Sequence, residues 1–119
     1  MKVEIRHAKG MGLGVFAIKN IKEGELIERC PVIRIPKDQF DIIKCSMLND
    51  YMYVAESNGV EAGKLCLGYG SLYNHSDNPN IEWRGVNARY MDFHTVRNIK
   101  KGEQLFIHYG DDYWTERGY

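Results

Sequence analysis

The hydrophobic residues of this 119-residue chain come in short runs that stop at glycine-containing breaks, and this limits the fold more than any other feature. Val3-Glu4-Ile5-Arg6, Val15-Phe16-Ala17-Ile18 and Leu26 to Ile35 read as strands, as do Ile81 to Arg84, Arg89 to Arg97 and Leu105 to Tyr109. Between them lies a mixed stretch, Tyr51 to Gly70, with Tyr51 and Tyr53 in a strand-like run and Asn58-Gly59 as a turn signal. Helical spacing follows Pro36, over Lys37 to Ile43, where a proline suits the start of a short helix. The chain is therefore expected to be mostly β and compact, with one or two short helices.

One segment occurs twice. Asn20-Ile21-Lys22-Glu23-Gly24-Glu25 and Asn98-Ile99-Lys100-Lys101-Gly102-Glu103 each follow one strand-like run and precede another. Each reads as a tight turn in which the glycine takes a positive φ and the isoleucine tucks underneath.

At 13.8 kDa there is room for one core and one site, so residues 1–119 are expected to form a single domain. Sixteen Lys plus Arg balance sixteen Asp plus Glu, leaving no overall basic field to hold nucleic acid or an anionic membrane. No apolar run has the length of a spanning helix and Met1-Lys2-Val3-Glu4 opens no secretory signal, so the expected location is intracellular. Cys30, Cys45 and Cys66 form no Cys-x-x-Cys pair and read as buried thiols. Asn74-His75-Ser76 matches a glycosylation sequon, which an intracellular chain would not use.

Three segments carry chemistry. Gly10-Met11-Gly12-Leu13-Gly14 lets backbone approach a ligand closely, but the β-like run after it and the absence of Gly-Lys-Ser/Thr exclude dinucleotide and phosphate-loop readings. Tyr73-Asn74-His75-Ser76-Asp77-Asn78-Pro79-Asn80 is dense in side chains that bond local backbone or read an adenine edge. Ser76 lacks a nucleophile elbow, and His75 with Asp77 lacks further ligands at metal-binding spacing. In Gly102 to Trp114, alternation puts Leu105, Ile107 and Tyr109 on one face and His108 on the other, toward solvent.

Taken in order, these segments resemble the SET-domain protein lysine methyltransferases: a glycine turn running into Gly-Val-Phe-Ala, an Asn-His-Ser-x-x-Pro-Asn loop, and a Gly-Glu-x-Leu-x-x-x-Tyr strand end. Here they read Gly12 to Ala17, Asn74 to Asn80 and Gly102 to Tyr109, and the likeness runs from about Lys9 to Trp114. In size and in the ending Gly110-Asp111-Asp112-Tyr113-Trp114 the chain looks most like the minimal SET enzymes of viruses or stand-alone bacterial SET proteins.

The resemblance implies a SET-domain β-clip of small curled sheets with a C-terminal pseudoknot, a threading that ordinary topology rules disfavour. A variable, insert-like segment would fall at about residues 37–70. The resemblance places S-adenosyl-L-methionine against Met11, Gly12, Leu13 and Gly14, with Asn74 and His75 at its adenine and methionine ends. Tyr109 then stands where the target amine meets the methyl sulfonium, as both the catalytic residue and a cofactor contact. Tyr51 and Tyr113 resemble walls of a lysine channel, and Trp114 is expected to close over the adenine. Many relatives bind zinc through a cysteine after Asn-His-Ser and a cysteine-rich tail, whereas this chain has Asp77 there and ends at Tyr119, so no metal is expected.

A lysine with an ordinary pKa of about 10.4 is protonated at neutral pH and cannot attack a methyl group. An aromatic channel desolvates the ammonium, the sulfonium repels it, and water then suffices as proton acceptor. The expected function is S-adenosylmethionine-dependent lysine N-methyl transfer to a basic protein segment such as a histone, and Asp111, Asp112 and Glu116 would suit that partner. The rival is a non-catalytic SET module that binds a protein or peptide, which would not need Asn74, His75 and Tyr109 together. A homodimer through exposed Phe40, Ile42 or Ile43 is a further expectation. The compartment would be the cytoplasm for a bacterial chain and the host nucleus or virion for a viral one.

Overall fold

In the computed structural model, which describes residues 1–57 and 59–109, nine strands, one α-helix and one 3-10 helix follow in order. They are β1 (Val3–Ala8), β2 (Gly12–Ala17), β3 (Leu26–Ile35), α1 (Lys37–Ile43), a 3-10 helix (Met47–Tyr51), β4 (Met52–Ser57), β5 (Val60–Cys66), β6 (Asn74–His75), β7 (Ile81–Asn87), β8 (Tyr90–Thr95) and β9 (Gln104–Ile107). The strands form one sheet in the order β1-β2-β9-β6 and another in the order β4-β5-β3-β8-β7. The chain makes two compact units. One holds Met1–Glu25, Tyr73–Glu82 and residues 94–109; the other holds Leu26–Leu72 and Trp83–Phe93. Among the described residues no helix is long and apolar enough to cross a membrane.

In the first unit β1 and β2 form a hairpin from Val3↔Ala17 to Ala8↔Gly12. Its turn needs φ of +75° at Gly10 and +76° at Gly12, where a side chain would be strained. β2 pairs antiparallel with β9 through Val15↔Leu105, and Val15, Ala17, Leu105 and Ile107 are buried. The repeated segments pair with each other through an Ile21↔Ile99 bridge, with Gly24 and Gly102 at φ +82° and +92°. The expected positive-φ glycines and tucked isoleucines are thus present, and both isoleucines are 1% exposed.

The second unit is built on antiparallel β3–β5 and β4–β5 ladders, the latter a hairpin from Met52↔Leu65 to Ser57↔Val60 with Gly59 at φ +77°. A seven-residue helix is not stable alone, so α1 depends on what it buries. Its inward residue, Phe40, is fully buried over Gly63, where an added Cβ would come 2.6 Å from the Phe40 ring and 2.7 Å from Met52. Burial of such a side chain is worth about 2–3 kcal/mol. Phe40 is therefore not the exposed contact expected of it, because the helical period turns it onto the sheet while Ile42 stays 74% exposed. Cys45 differs as well: it lies exposed just past the end of α1, whereas Cys30 and Cys66 are buried. The neighbouring Cys66 thiol and burial push the Cys30 thiol well above the usual range. Arg29 clamps Asp92 with two bonds, Nε to Oδ1 at 2.7 Å and a terminal nitrogen to Oδ2 at 2.9 Å.

Candidate active site

The first unit brings together residues far apart in the chain. The glycine turn delivers Met11 and Leu13 to the surface, 50% and 53% exposed. Gly14 is needed for a different reason from Gly10 and Gly12. A Cβ there would lie 2.6 Å from Gln104 Oε1, 3.0 Å from Asn74 Nδ2 and 3.1 Å from Ala8 Cβ. β2 thus lies close to the Asn74 amide.

That amide is fully oriented. Asn74 Nδ2 donates to Leu13 O at 3.0 Å and to Gln104 Oε1 at 2.8 Å, and because both partners are acceptors the amide can face only one way. Both of its N–H groups are committed, so the group it can turn toward a ligand is the acceptor Oδ1. Toward a ligand the fold leaves Asn74 the accepting role.

Asn74 and His75 form β6, which pairs parallel with β9 through Asn74↔Phe106 and His75↔Ile107, and Ser76 N donates to Ile107 O at 3.0 Å. Asn80 then pins the end of the loop to β9. Buried at 1% exposure, it donates from Nδ2 to Gln104 O at 2.9 Å and accepts from Phe106 N at 2.7 Å. Gln104 was not singled out by sequence reasoning, and Asn80 was read only as the last residue of the Asn-His-Ser-x-x-Pro-Asn motif, with no role of its own. Alternation opposite Leu105 places Gln104 off the apolar face, which hints that its amide needs a partner; for Asn80 the motif gave the position but not the partners on β9.

Past the end of β9 the chain carries Tyr109 back to β6. Its backbone N–H donates to His75 Nδ1 at 2.9 Å and its hydroxyl donates to Tyr73 O at 3.0 Å, so the residue is held at both ends. With its proton on Tyr73 O, the phenol oxygen acts toward anything else as an acceptor. The rings of His75 and Tyr109 lie 5.0 Å apart. His75 Nε2 is 2.9 Å from Asp77 Oδ1, so both ring nitrogens are engaged by protein groups. His108 is exposed, as expected, with Nε2 3.8 Å from the same Asp77 oxygen and its ring 4.7 Å from that of His75. His75, Asp77 and His108 can bring one donor atom each within 4.8 Å of one another, a third donor that sequence spacing did not show.

Of the residues expected at the site, Met11, Gly12, Leu13, Gly14, Asn74, His75 and Tyr109 all belong to this unit, where Leu13 is bonded to Asn74 and His75 to Tyr109. Tyr51 belongs to the other unit, at the end of the 3-10 helix and 40% exposed. Tyr113 and Trp114 lie outside the described residues, as do Asp111, Asp112, Glu116 and part of the expected pseudoknot.

The sequence pattern that defines the SET domain matches residues 12–110. The chain belongs to the SET-domain family. This SET domain is 39% identical over 116 residues to the Schizosaccharomyces pombe histone-lysine N-methyltransferase, H3 lysine-37 specific, covering 96% of this chain and 77% of that protein. It is 29% identical to histone-lysine N-methyltransferase EZH2 of Chaetomium thermophilum, over 86% of this chain but 8% of that protein. Among solved structures, CpSET8 from Cryptosporidium superposes with a TM-score of 0.72 at 25% identity, covering 92% of this chain and 57% of the other. Plasmodium falciparum PFL0690c gives 0.68 at 35% identity, covering 95% and 96%. These relatives are eukaryotic, so they support the SET resemblance without its viral or bacterial part.

The residues of this SET domain fit the sulfonium cofactor that the family uses. The Asn74 carbonyl suits a ligand N–H such as an adenine amino group or an α-ammonium, and Met11 and Leu13 provide exposed apolar surface near it.

Proposed function

We propose that this SET domain is an S-adenosylmethionine-dependent protein lysine N-methyltransferase whose substrate is a basic, lysine-containing segment of a histone. The observation that carries this reading is Tyr109, fixed through its backbone and its hydroxyl beside the Asn74-His75 strand. A module that only bound peptide would have no use for a phenol held so tightly. The names of the relatives support a histone as the target, and with it the compartment that holds chromatin.

When bound, S-adenosylmethionine supplies a methyl group activated on a sulfonium. The chain's own residues then have three tasks. Met11 to Gly14 and the Asn74 carbonyl hold the cofactor side, the carbonyl accepting a ligand N–H. Tyr109 Oη, its proton committed to Tyr73 O, accepts a hydrogen bond from the target amine and so aims the amine's lone pair. Orientation of this kind supplies several kcal/mol of a bimolecular barrier. Desolvation of the bound amine lowers its pKa so that its proton passes to water. His75 uses its ring on Tyr109 and Asp77, and its place in β6 next to Asn74 supports its assignment to the cofactor side.

Calorimetric titration with S-adenosylhomocysteine tests the cofactor half without a known substrate. One-to-one micromolar binding is expected, and histone proteins should then accept labelled methyl groups. No binding at millimolar ligand would move the assignment to the non-catalytic module.

A further inference from the structure

We propose that Asp77 is a positioning residue for Tyr109, acting through the tautomer of His75. The inference rests on the role given to Tyr109 above. A backbone N–H can only donate, and that of Tyr109 lies 2.9 Å from His75 Nδ1, so Nδ1 carries no proton. A neutral imidazole has one N–H, which must therefore sit on Nε2, 2.9 Å from Asp77 Oδ1.

A carboxylate can only accept, so Asp77 favours the same tautomer from the other side of the ring. In the opposite tautomer both contacts would be repulsive, donor against donor at Tyr109 and lone pair against carboxylate at Asp77. The His75 side chain is 12% exposed and that of Asp77 94%, so the ring is embedded and the carboxylate reaches it from the solvent side. Ser76 shapes that approach: its N–H is held by Ile107 O, and its hydroxyl accepts from Asn78 N at 3.0 Å. Asp77, His75 and the Tyr109 amide form one line of hydrogen bonds that ends on the backbone carrying the phenol.

The same proton bears on the neighbouring His108. Although His75, Asp77 and His108 stand at ligand-like spacing, a cation would have to displace a proton from Nε2 and compete with an existing hydrogen bond. The cluster is built to hold a ring in place.

The test follows ring and amide nitrogens by NMR in labelled protein, in mildly alkaline buffer where histidine rings are neutral. Wild type should show His75 protonated at Nε2 and bare at Nδ1. Asp77→Ala should mix the tautomers, speed exchange of the Tyr109 amide about fivefold, and lower kcat about fivefold with the cofactor KM held, the scale of an exposed charged contact. Asp77→Asn keeps an acceptor oxygen and should recover most of each loss. A proton on Nδ1 in wild type, or an Asp77→Ala protein that matches wild type in tautomer and amide exchange, would overturn the proposal. So would zinc that shifts the His75 ring signals at micromolar concentration. If wild type binds no S-adenosylhomocysteine and transfers no methyl group, the enzymatic reading fails, while the ring and amide signals still judge the link from Asp77 to Tyr109.

Discussion

Ile21 and Ile99 hydrogen-bond to each other in both directions, N–H to carbonyl at 2.8 Å each way, at the centre of the two repeated segments. The asparagines that open the repeats complete the exchange: Asn98 Oδ1 accepts from Glu23 N at 2.8 Å, and Asn20 Oδ1 accepts from Lys101 N at 2.9 Å. Each repeat therefore caps a turn of the other. Asn20→Ala and Asn98→Ala should cost similar stability, about 1 kcal/mol each, read from urea denaturation midpoints. Unequal losses would mean that one of the two caps is not formed in solution.

Gly14 has no positive φ, so its requirement is one of space. In Gly14→Ala the new methyl would push Gln104 Oε1 aside and free the Asn74 amide to turn. The fold should survive, while affinity for S-adenosylhomocysteine falls about tenfold, or ~1.4 kcal/mol, by calorimetry. Gln104→Leu, which removes the acceptor without adding a clash at residue 14, should lower affinity in the same direction.

Tyr109→Phe removes the hydroxyl but not the amide held by His75. Cofactor-product binding should be retained and stability should drop by about 1 kcal/mol. Methyl transfer to histone should slow on the order of 100-fold, or change in the number of methyl groups added, as expected when one positioned polar group is lost near the reacting atoms. Unchanged turnover would remove the hydroxyl from the mechanism.

Lys2 Nζ lies 3.0 Å from Glu25 Oε2 and the Lys22 amide donates to the other oxygen at 3.2 Å. Chiefly through Lys2, these bonds hold the Glu25 carboxyl below its ordinary value of 4.5. A carboxyl with a lowered folded pKa binds fewer protons in the native state, so its contribution is present above pH 4.5 and disappears as the pH falls through the folded value. Glu25→Gln should therefore lower Tm near neutrality and narrow its gap to wild type on acidification, measured over about pH 3 to 6.

Cys45 is exposed while Cys30 and Cys66 are buried, and Cys30 is held further toward the unreactive thiol form. A thiol reagent should label Cys45 alone in the native protein and all three cysteines after unfolding. Rapid native labelling of Cys30 or Cys66 would show that the second unit opens readily.

Much of this protein is determined locally. The strands at Leu26–Ile35 and β1, the helix over Lys37–Ile43, the Gly59 turn and the positive φ of Gly24 and Gly102 follow from hydrophobic period and from backbone angles that glycine alone adopts without strain. The motif order from Gly12 through Asn74-His75 to Tyr109 pointed to the family and to a candidate site for the same reason: residue type and spacing are written in the chain. What the sequence did not contain is the partner of each polar group. The Gln104 that orients Asn74, the Asn80 that ties its loop to β9, the His75 ring under the Tyr109 amide and the pairing of the two repeats join residues 24 to 81 positions apart. Such bonds depend on how the chain closes, and a buried donor or acceptor must find a partner wherever closure brings one. Phe40 and Cys45 were misread on the same account: burial is set by what packs on a residue, and only the tertiary structure places Gly63 beneath one and solvent over the other.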